Sequence, residues 1–338
     1  MISTKPAFLI FISLLLSGCS FFSDNEGVST QTNDNTSITK NDTAKIESLS
    51  NIEKCKISFN NGLERFKEYN KFARYNSKYG FDYARKISLQ KFSEMTSFPE
   101  VIKDCLPAGL ENNPEAQYAI GYAYHKIYIN NHLLQLEFKV DNEDKIIDLF
   151  WNYYKWYQKA AKQGNAKAQG ELAQLYWTGG HWDRINKKRL VKEDYSKAYT
   201  WAEKAAQQND INGLTTLGYM YLYGYGVKQN KTKAYELYKK SSELGDSASS
   251  WWLATMFFEG NGVKRNYKAG IRMLDRAAKL NDEFSDVPTY TLWVAKDYNE
   301  GNKDWGLKPN KDKAAYYYKI ACDYGYTESC NLYKQLKE

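Results

Sequence analysis

Apolar and small residues recur along this chain at a fixed interval. Residues 213–228 read GLTTLGYMYLYGYGVK and residues 249–264 read SSWWLATMFFEGNGVK, thirty-six residues further on. Each stretch is followed by a charged turn and a second helix-like run, KAYELYKKSSELGD or KAGIRMLDRAAKLND. Leu172, Leu217 and Leu253 stand at equivalent positions, with Tyr176, Tyr221 and Phe257 one helical turn beyond them on the same face. That stripe is predicted to be core. Small residues at Ala173, Gly218, Ala254 and Ala295 let two helices approach closely, and the glycines at 224, 226, 260 and 262 end the first helix in a tight turn. A repeat of this period predicts an array of helix pairs, each unable to bury its apolar stripe without its neighbours.

The same pattern opens at Ala116-Gln117-Tyr118-Ala119-Ile120-Gly121 and again at Ala168-Gln169-Gly170-Glu171-Leu172-Ala173, with a weaker copy from Tyr290. The companion second helices carry Trp156-Tyr157 before Ala160-Ala161, Trp201 before Ala205-Ala206, and Tyr318 before Ala321-Cys322. Over residues 114–338 these motifs resemble the Sel1-like repeat, a tetratricopeptide relative. The resemblance implies an all-α, right-handed α-solenoid of about five stacked helix–turn–helix repeats. The first copy departs from the pattern by lacking the Gly-x-Gly turn, and the last has Gly301 and Gly306 set apart.

Outside the repeats the pattern changes. Ile52, Cys55, Phe59, Leu63 and Phe66 follow helical spacing, Phe81, Ala84, Ile87, Lys91 and Met95 suggest another helix, and Asp104–Gly109 reads as a helix ending. Residues 51–113 are thus expected to be a helical capping region, and a helix from Ser329 to Leu336 is expected to close the other end. Residues 7–17 are apolar, follow Lys5 and precede Leu16-Ser17-Gly18-Cys19. The run is too short to span a bilayer. It resembles a bacterial lipoprotein signal over residues 1–18, which implies that Cys19 becomes the lipidated N-terminus and that the protein is anchored to the outer membrane from the periplasmic side. Residues 19–50, rich in Ser, Thr, Asn and Asp, read as a flexible tether.

Four further cysteines, Cys55, Cys105, Cys322 and Cys330, allow three pairings or four reduced thiols. The Cys322–Cys330 spacing resembles the bridge inside repeats of the Helicobacter cysteine-rich proteins, a disulfide-bearing branch of the Sel1-like family. That resemblance implies a 322–330 bridge and leaves Cys55 to pair with Cys105.

Two readings fit the face of the first helices turned away from Leu172. Tyr118, Tyr122, Trp177, Tyr219, Trp251 and Phe258 form an aromatic strip on the concave side of the solenoid, suited to a protein partner, or adjacent helices pack sideways and bury them. Two insertions stand out, between Tyr124 and Asp148 and from Gly179 to Asp194, the second with five basic residues. Each is a functional loop or tolerated surface drift.

The chemistry-bearing residues are few. The chain has three histidines: His125 and His132 are spaced to share a helix face, while His181 sits in a distant loop. No metal site or cofactor is expected. No HExxH, GxSxG, Walker or CxxC motif occurs, and Ser88-Leu-Gln-Lys91 lacks the companion motifs of penicillin-hydrolysing enzymes. The formal net charge of +7 is spread along the chain and does not indicate nucleic-acid binding. The resemblance implies a non-catalytic protein that binds a partner protein. Its most concrete form is an immunity protein, because some lipoproteins with Sel1-like repeats neutralise phospholipase effectors of type VI secretion. The alternatives are an envelope scaffold or signalling regulator, and a weak hydrolase of β-lactam or peptidoglycan substrates.

Overall fold

The computed structural model describes residues 49–76, 91–92, 96–138, 142–280, 287–303, 307–323 and 326–338. The signal-like segment, Cys19 and the tether up to Ser48 lie outside the described residues, as do Phe81, Ala84, Ile87 and Met95 of the helix expected there.

The fold is an all-α solenoid in two compact units, one ending at Asp194 and the other beginning at Tyr195. The first unit holds α1 (Asn51–Asn76), α2 (Phe98–Leu110), α3 (Pro114–Phe138), α4 (Glu143–Lys162) and α5 (Ala166–Thr178), then a small hairpin of β1 (Trp182–Asp183) and β2 (Lys188–Arg189). The second holds α6 (Tyr195–Gln207), α7 (Ile211–Tyr223), α8 (Lys231–Glu243), α9 (Ser247–Glu259), α10 (Tyr267–Leu280), α11 (Val287–Glu300), α12 (Lys311–Asp323) and α13 (Thr327–Lys337). Within each unit every helix packs on the next in sequence. Among the described residues, no helix is long and apolar enough to cross a membrane.

Local chemistry sets the helix limits. Asn165, Asp210, Asn230 and Asp246 are N-caps whose side chains accept from the backbone N–H three residues on, at 2.7–2.9 Å. Gly224 and Gly260 end α7 and α9 in the left-handed conformation. Gly262 combines a positive φ of 75° with a close approach, because a Cβ there would lie 2.5 Å from the backbone of Lys231. The second glycine of the turn is therefore where one repeat touches the start of the preceding second helix.

The expected core is present. Leu172, Leu217, Leu253 and Tyr176 are buried, whereas Tyr221 and Phe257 are partly exposed at the edge of the stripe. The small position beside the core leucine faces a second-helix tyrosine: a Cβ on Gly218 would meet the Tyr238 ring at 2.9 Å. Both disulfides form. Cys55–Cys105 joins α1 to α2 and Cys322–Cys330 joins α12 to α13, so each terminal part of the described chain carries one covalent tie.

Candidate functional site

The aromatic strip is not an open face. Tyr118, Tyr122, Tyr219, Trp251 and Phe258 are buried, and Trp177 is half-buried. The cause is lateral packing: side chains turned away from the core leucine meet rings from neighbouring elements. In the first unit, Tyr118 stacks on Tyr157 of α4 and meets Phe59 of α1 edge-on, while Tyr122 lies against Phe59 and Phe98. In the second, Tyr219 meets Trp252 of α9 at 5.6 Å, Phe258 fills the space over Gly270 of α10, and Trp251 is buried beside Trp252 of its own helix. The five buried rings are not available to a partner.

Exposed aromatics occur one turn further along. At the C-terminal end of α7 and in the turn after it, Tyr223 and Tyr225 are 43% and 37% exposed. They rest on a buried base: the Tyr219 ring is 4.5 Å from Tyr223 and stacks on Tyr225 at 6.0 Å, with Trp252 5.6 Å from Tyr219 and Tyr195 5.2 Å from Tyr225. Desolvation raises the hydroxyl pKa of Tyr223 above its ordinary value, with Glu259 adding to the rise, so it stays a neutral donor. In the following repeat the equivalent residues are Glu259 and Asn261. The turn therefore does not require tyrosine at either position. Aligning the two copies carries that signal, and sequence reasoning centred on the helix face passed over it.

The two insertions form one structure in the first unit. The first extends α3 to Phe138 and begins α4 at Glu143; the second is the β hairpin. His181, expected in a loop distant from the other histidines, instead folds back onto one of them: its ring is 5.2 Å from His132. His181 Nε2 lies 3.1 Å from Glu143 Oε1, and its Nδ1 lies 3.1 Å from the Tyr128 hydroxyl. With a carboxylate at Glu143, Nε2 carries the proton and Nδ1 accepts from the Tyr128 O–H. Glu143, itself buried, also accepts from the backbone N–H of Arg184 at 3.0 Å and from its guanidinium at 3.1 Å. One carboxylate thus anchors the base of the hairpin by three hydrogen bonds. The Asp183 carboxylate caps its turn, accepting from the N–H groups of Ile185 and Asn186. Trp182 and Ile185 stand out from this frame, 51% and 64% exposed.

A second polar cluster lies beside it. The His125 ring stacks on Tyr153 at 4.6 Å, its Nδ1 is 3.2 Å from the Tyr157 hydroxyl, and Glu171 Oε2 is 3.6 Å away. Burial pushes the Glu171 carboxyl up to about 7 and the His125 imidazole down to about 3. Burial and the neighbouring His181 lower His132 to about 4. Among the described residues, no group of three His, Cys, Asp or Glu side chains is arranged to hold a metal ion.

A solenoid of capped helix pairs with glycine turns and close inter-helix alanines defines the class: a helical-repeat protein of the kind that mediates protein–protein interaction. The Sel1 repeat family profile matches residues 114–126, 154–165, 166–210, 215–246, 247–282 and 294–326, just over half of the chain. The chain belongs to the Sel1 repeat family. Among solved structures it resembles a Sel1 repeat protein from Oxalobacter formigenes, with 25% identity, 69% of this chain and 81% of that one covered, and a TM-score of 0.50. Weaker likenesses are to cysteine-rich protein B of Helicobacter pylori (24% identity, 40% and 96% covered, TM-score 0.31) and to an immunity protein from Pseudomonas aeruginosa (13% identity, 68% and 76% covered, TM-score 0.40). No curated protein matches the chain.

Proposed function

We propose that this chain is a non-catalytic envelope lipoprotein that binds a protein partner. In its most concrete form it is an immunity protein that neutralises an antibacterial phospholipase delivered by type VI secretion. The observation that carries the binding reading is the Tyr223–Tyr225 pair. Tyrosine presents a large amphipathic surface at small conformational cost and is favoured as an interface anchor. Here two such rings are exposed on a rigid aromatic base, at positions where the neighbouring repeat does without them.

Location belongs to the same proposal. Two disulfides are at home in an oxidising compartment, and the Leu16–Cys19 motif suits export with lipidation. We propose that Cys19 is acylated in the outer membrane and that residues 20–50 tether the folded part in the periplasm. A flexible chain of that length has a mean span on the order of 30 Å.

Survival tests the function. Directing to the periplasm a secreted phospholipase encoded beside this gene should kill cells lacking the protein and spare cells that have it. Tyr223→Ser combined with Tyr225→Ser should abolish protection while the melting temperature stays close to that of the unaltered protein. Failure of the unaltered chain to protect rejects the immunity role, and full protection by the double variant rejects the tyrosine surface. Fractionation of Cys19→Ala with soluble proteins is the expected result for the anchor; retention in the membrane rejects it.

A further inference from the structure

The inserted hairpin has a surface chemistry of its own. Its exposed apolar side chains are Trp182 and Ile185, in an insertion that also carries five basic residues. Of the five basic residues in this insertion, Arg184 is committed to Glu143, and Arg189 to the Gly180 carbonyl and Glu193. Lys187, Lys188 and Lys192 remain, all exposed and in no salt bridge among the described residues. The one carboxylate of the tip, Asp183, is buried and turned inward to cap the turn. The exposed side chains of the hairpin therefore include an indole, a branched aliphatic chain and the ammonium groups of Lys187 and Lys188, while Lys192 lies outside the turn beside the half-exposed Glu193.

That surface is also preorganised. Trp182 pairs with Arg189 across the two strands, Lys187 adopts a left-handed φ of 51° to close the turn, and the Glu143–His181–Arg184 anchor fixes the base. Docking it costs little ordering entropy.

We propose that the hairpin tip docks on an anionic phospholipid surface. Trp182 and Ile185 enter the boundary between headgroups and acyl chains, and Lys187 and Lys188 lie among the lipid phosphates. Tryptophan is suited to that boundary by its apolar body and its N–H, and lysine by a long stem that carries its charge back to the headgroups. Charge complementarity names the occupant: the Lys187 and Lys188 ammonium groups fit a surface of phosphate esters, since the Asp183 carboxylate opposite Lys188 is buried and engaged by Ile185 and Asn186. Size favours a bilayer over a protein. A stable protein interface takes on the order of 20 residues a side, whereas two apolar side chains on a narrow turn suffice for an interfacial contact that adds to another anchor. The hairpin lies in the first unit and the Tyr223–Tyr225 surface in the second, so this proposal does not depend on the partner-binding reading.

Fluorescence quenching by brominated acyl chains tests it on the full chain. The protein is mixed with vesicles of brominated phosphatidylcholine, either alone or in equal parts with brominated phosphatidylglycerol. The difference in emission between the unaltered chain and Trp182→Phe reports the indole at 182. That component should be quenched in the phosphatidylglycerol vesicles and not in pure phosphatidylcholine. Lys187→Glu with Lys188→Glu should lower the docked-to-undocked ratio by at least about fivefold for each lysine, the effect of one basic residue near an anionic surface. Neither variant touches the buried anchor, and matched melting temperatures verify folding. An unquenched Trp182 component overturns the proposal, as does quenching indifferent to phosphatidylglycerol. An emission shift of the Trp182 component with polyglutamate but not with anionic vesicles also overturns it, and assigns the tip to an acidic protein surface.

Discussion

Glu143 and His181 are joined by a 3.1 Å hydrogen bond, both side chains are only 3% exposed, and 38 residues separate them in sequence. This contact turns two insertions into one body, because the same carboxylate holds Arg184. Removing the Glu143 carboxylate leaves the buried His181 N–H without its acceptor, at a cost of about 1–3 kcal/mol. Glu143→Ala should lower the melting temperature of the first unit and speed tryptic cleavage at Lys187, Lys188 and Arg189. A hairpin as resistant as before would show that the anchor does not restrain it.

Glu171 and His125 set opposite pH limits on stability. Burial raises Glu171 from 4.5 to about 7 and lowers His125 from 6.5 to about 3, so each group folds most readily in its neutral form. As pH rises above 4.5, the unfolded chain loses the Glu171 proton first, and stability falls until about pH 7. As pH falls below 6.5, the unfolded chain binds the His125 proton first, and stability falls until about pH 3. The two slopes cancel between these ordinary values, which leaves a plateau with losses on either side. Glu171→Gln should therefore raise stability above pH 7 by on the order of 3 kcal/mol and change little near pH 4.5. Thermal melts at the two pH values measure the difference; an equal gain at both would exclude titration of Glu171 as its source.

Trp251 separates packing from binding. Its indole is buried against Trp252, so Trp251→Ala should cost about 4 kcal/mol of stability, in the range for deleting a core aromatic. Tyr223→Ser, at a half-exposed ring, should cost far less. Denaturant titrations of the two variants rank them, and a small loss at Trp251 would mark it as a surface residue.

The two disulfides differ in the length of chain they close. Cys55 and Cys105 are 50 residues apart in sequence, and Cys322 and Cys330 are 8 apart. On the chain-entropy account the first contributes about 4 kcal/mol and the second about 2.5 kcal/mol. Cys55→Ser with Cys105→Ser should consequently lower the melting temperature more than the corresponding C-terminal pair, and the reverse order would show that strain or residual structure dominates.

Architecture was legible because it is written in local chemistry. The Leu172, Leu217 and Leu253 stripe, the capping Asp210 and Asp246 and the left-handed Gly224 and Gly260 each specify their own neighbourhood, and together they define the repeat. The bridges followed from likeness to a cysteine-bearing branch of the family. The candidate surfaces were harder, because exposure is a property of the stack and not of one helix. Tyr118 and Tyr219 point away from their own core leucines, yet each meets rings supplied by other elements. His181 was misjudged for a similar reason: periodicity places His125 and His132 on α3 and says nothing about where a hairpin turns back. The comparison that did hold the information was repeat against repeat, since Tyr223 and Tyr225 against Glu259 and Asn261 mark positions free of fold constraint.

All three imidazoles of the chain sit in the first unit, within the span from His125 to His181. Their ring-proton resonances thus form a natural half-molecule probe in magnetic resonance. Spectral changes on adding a ligand would register events around the hairpin and its buried polar neighbours.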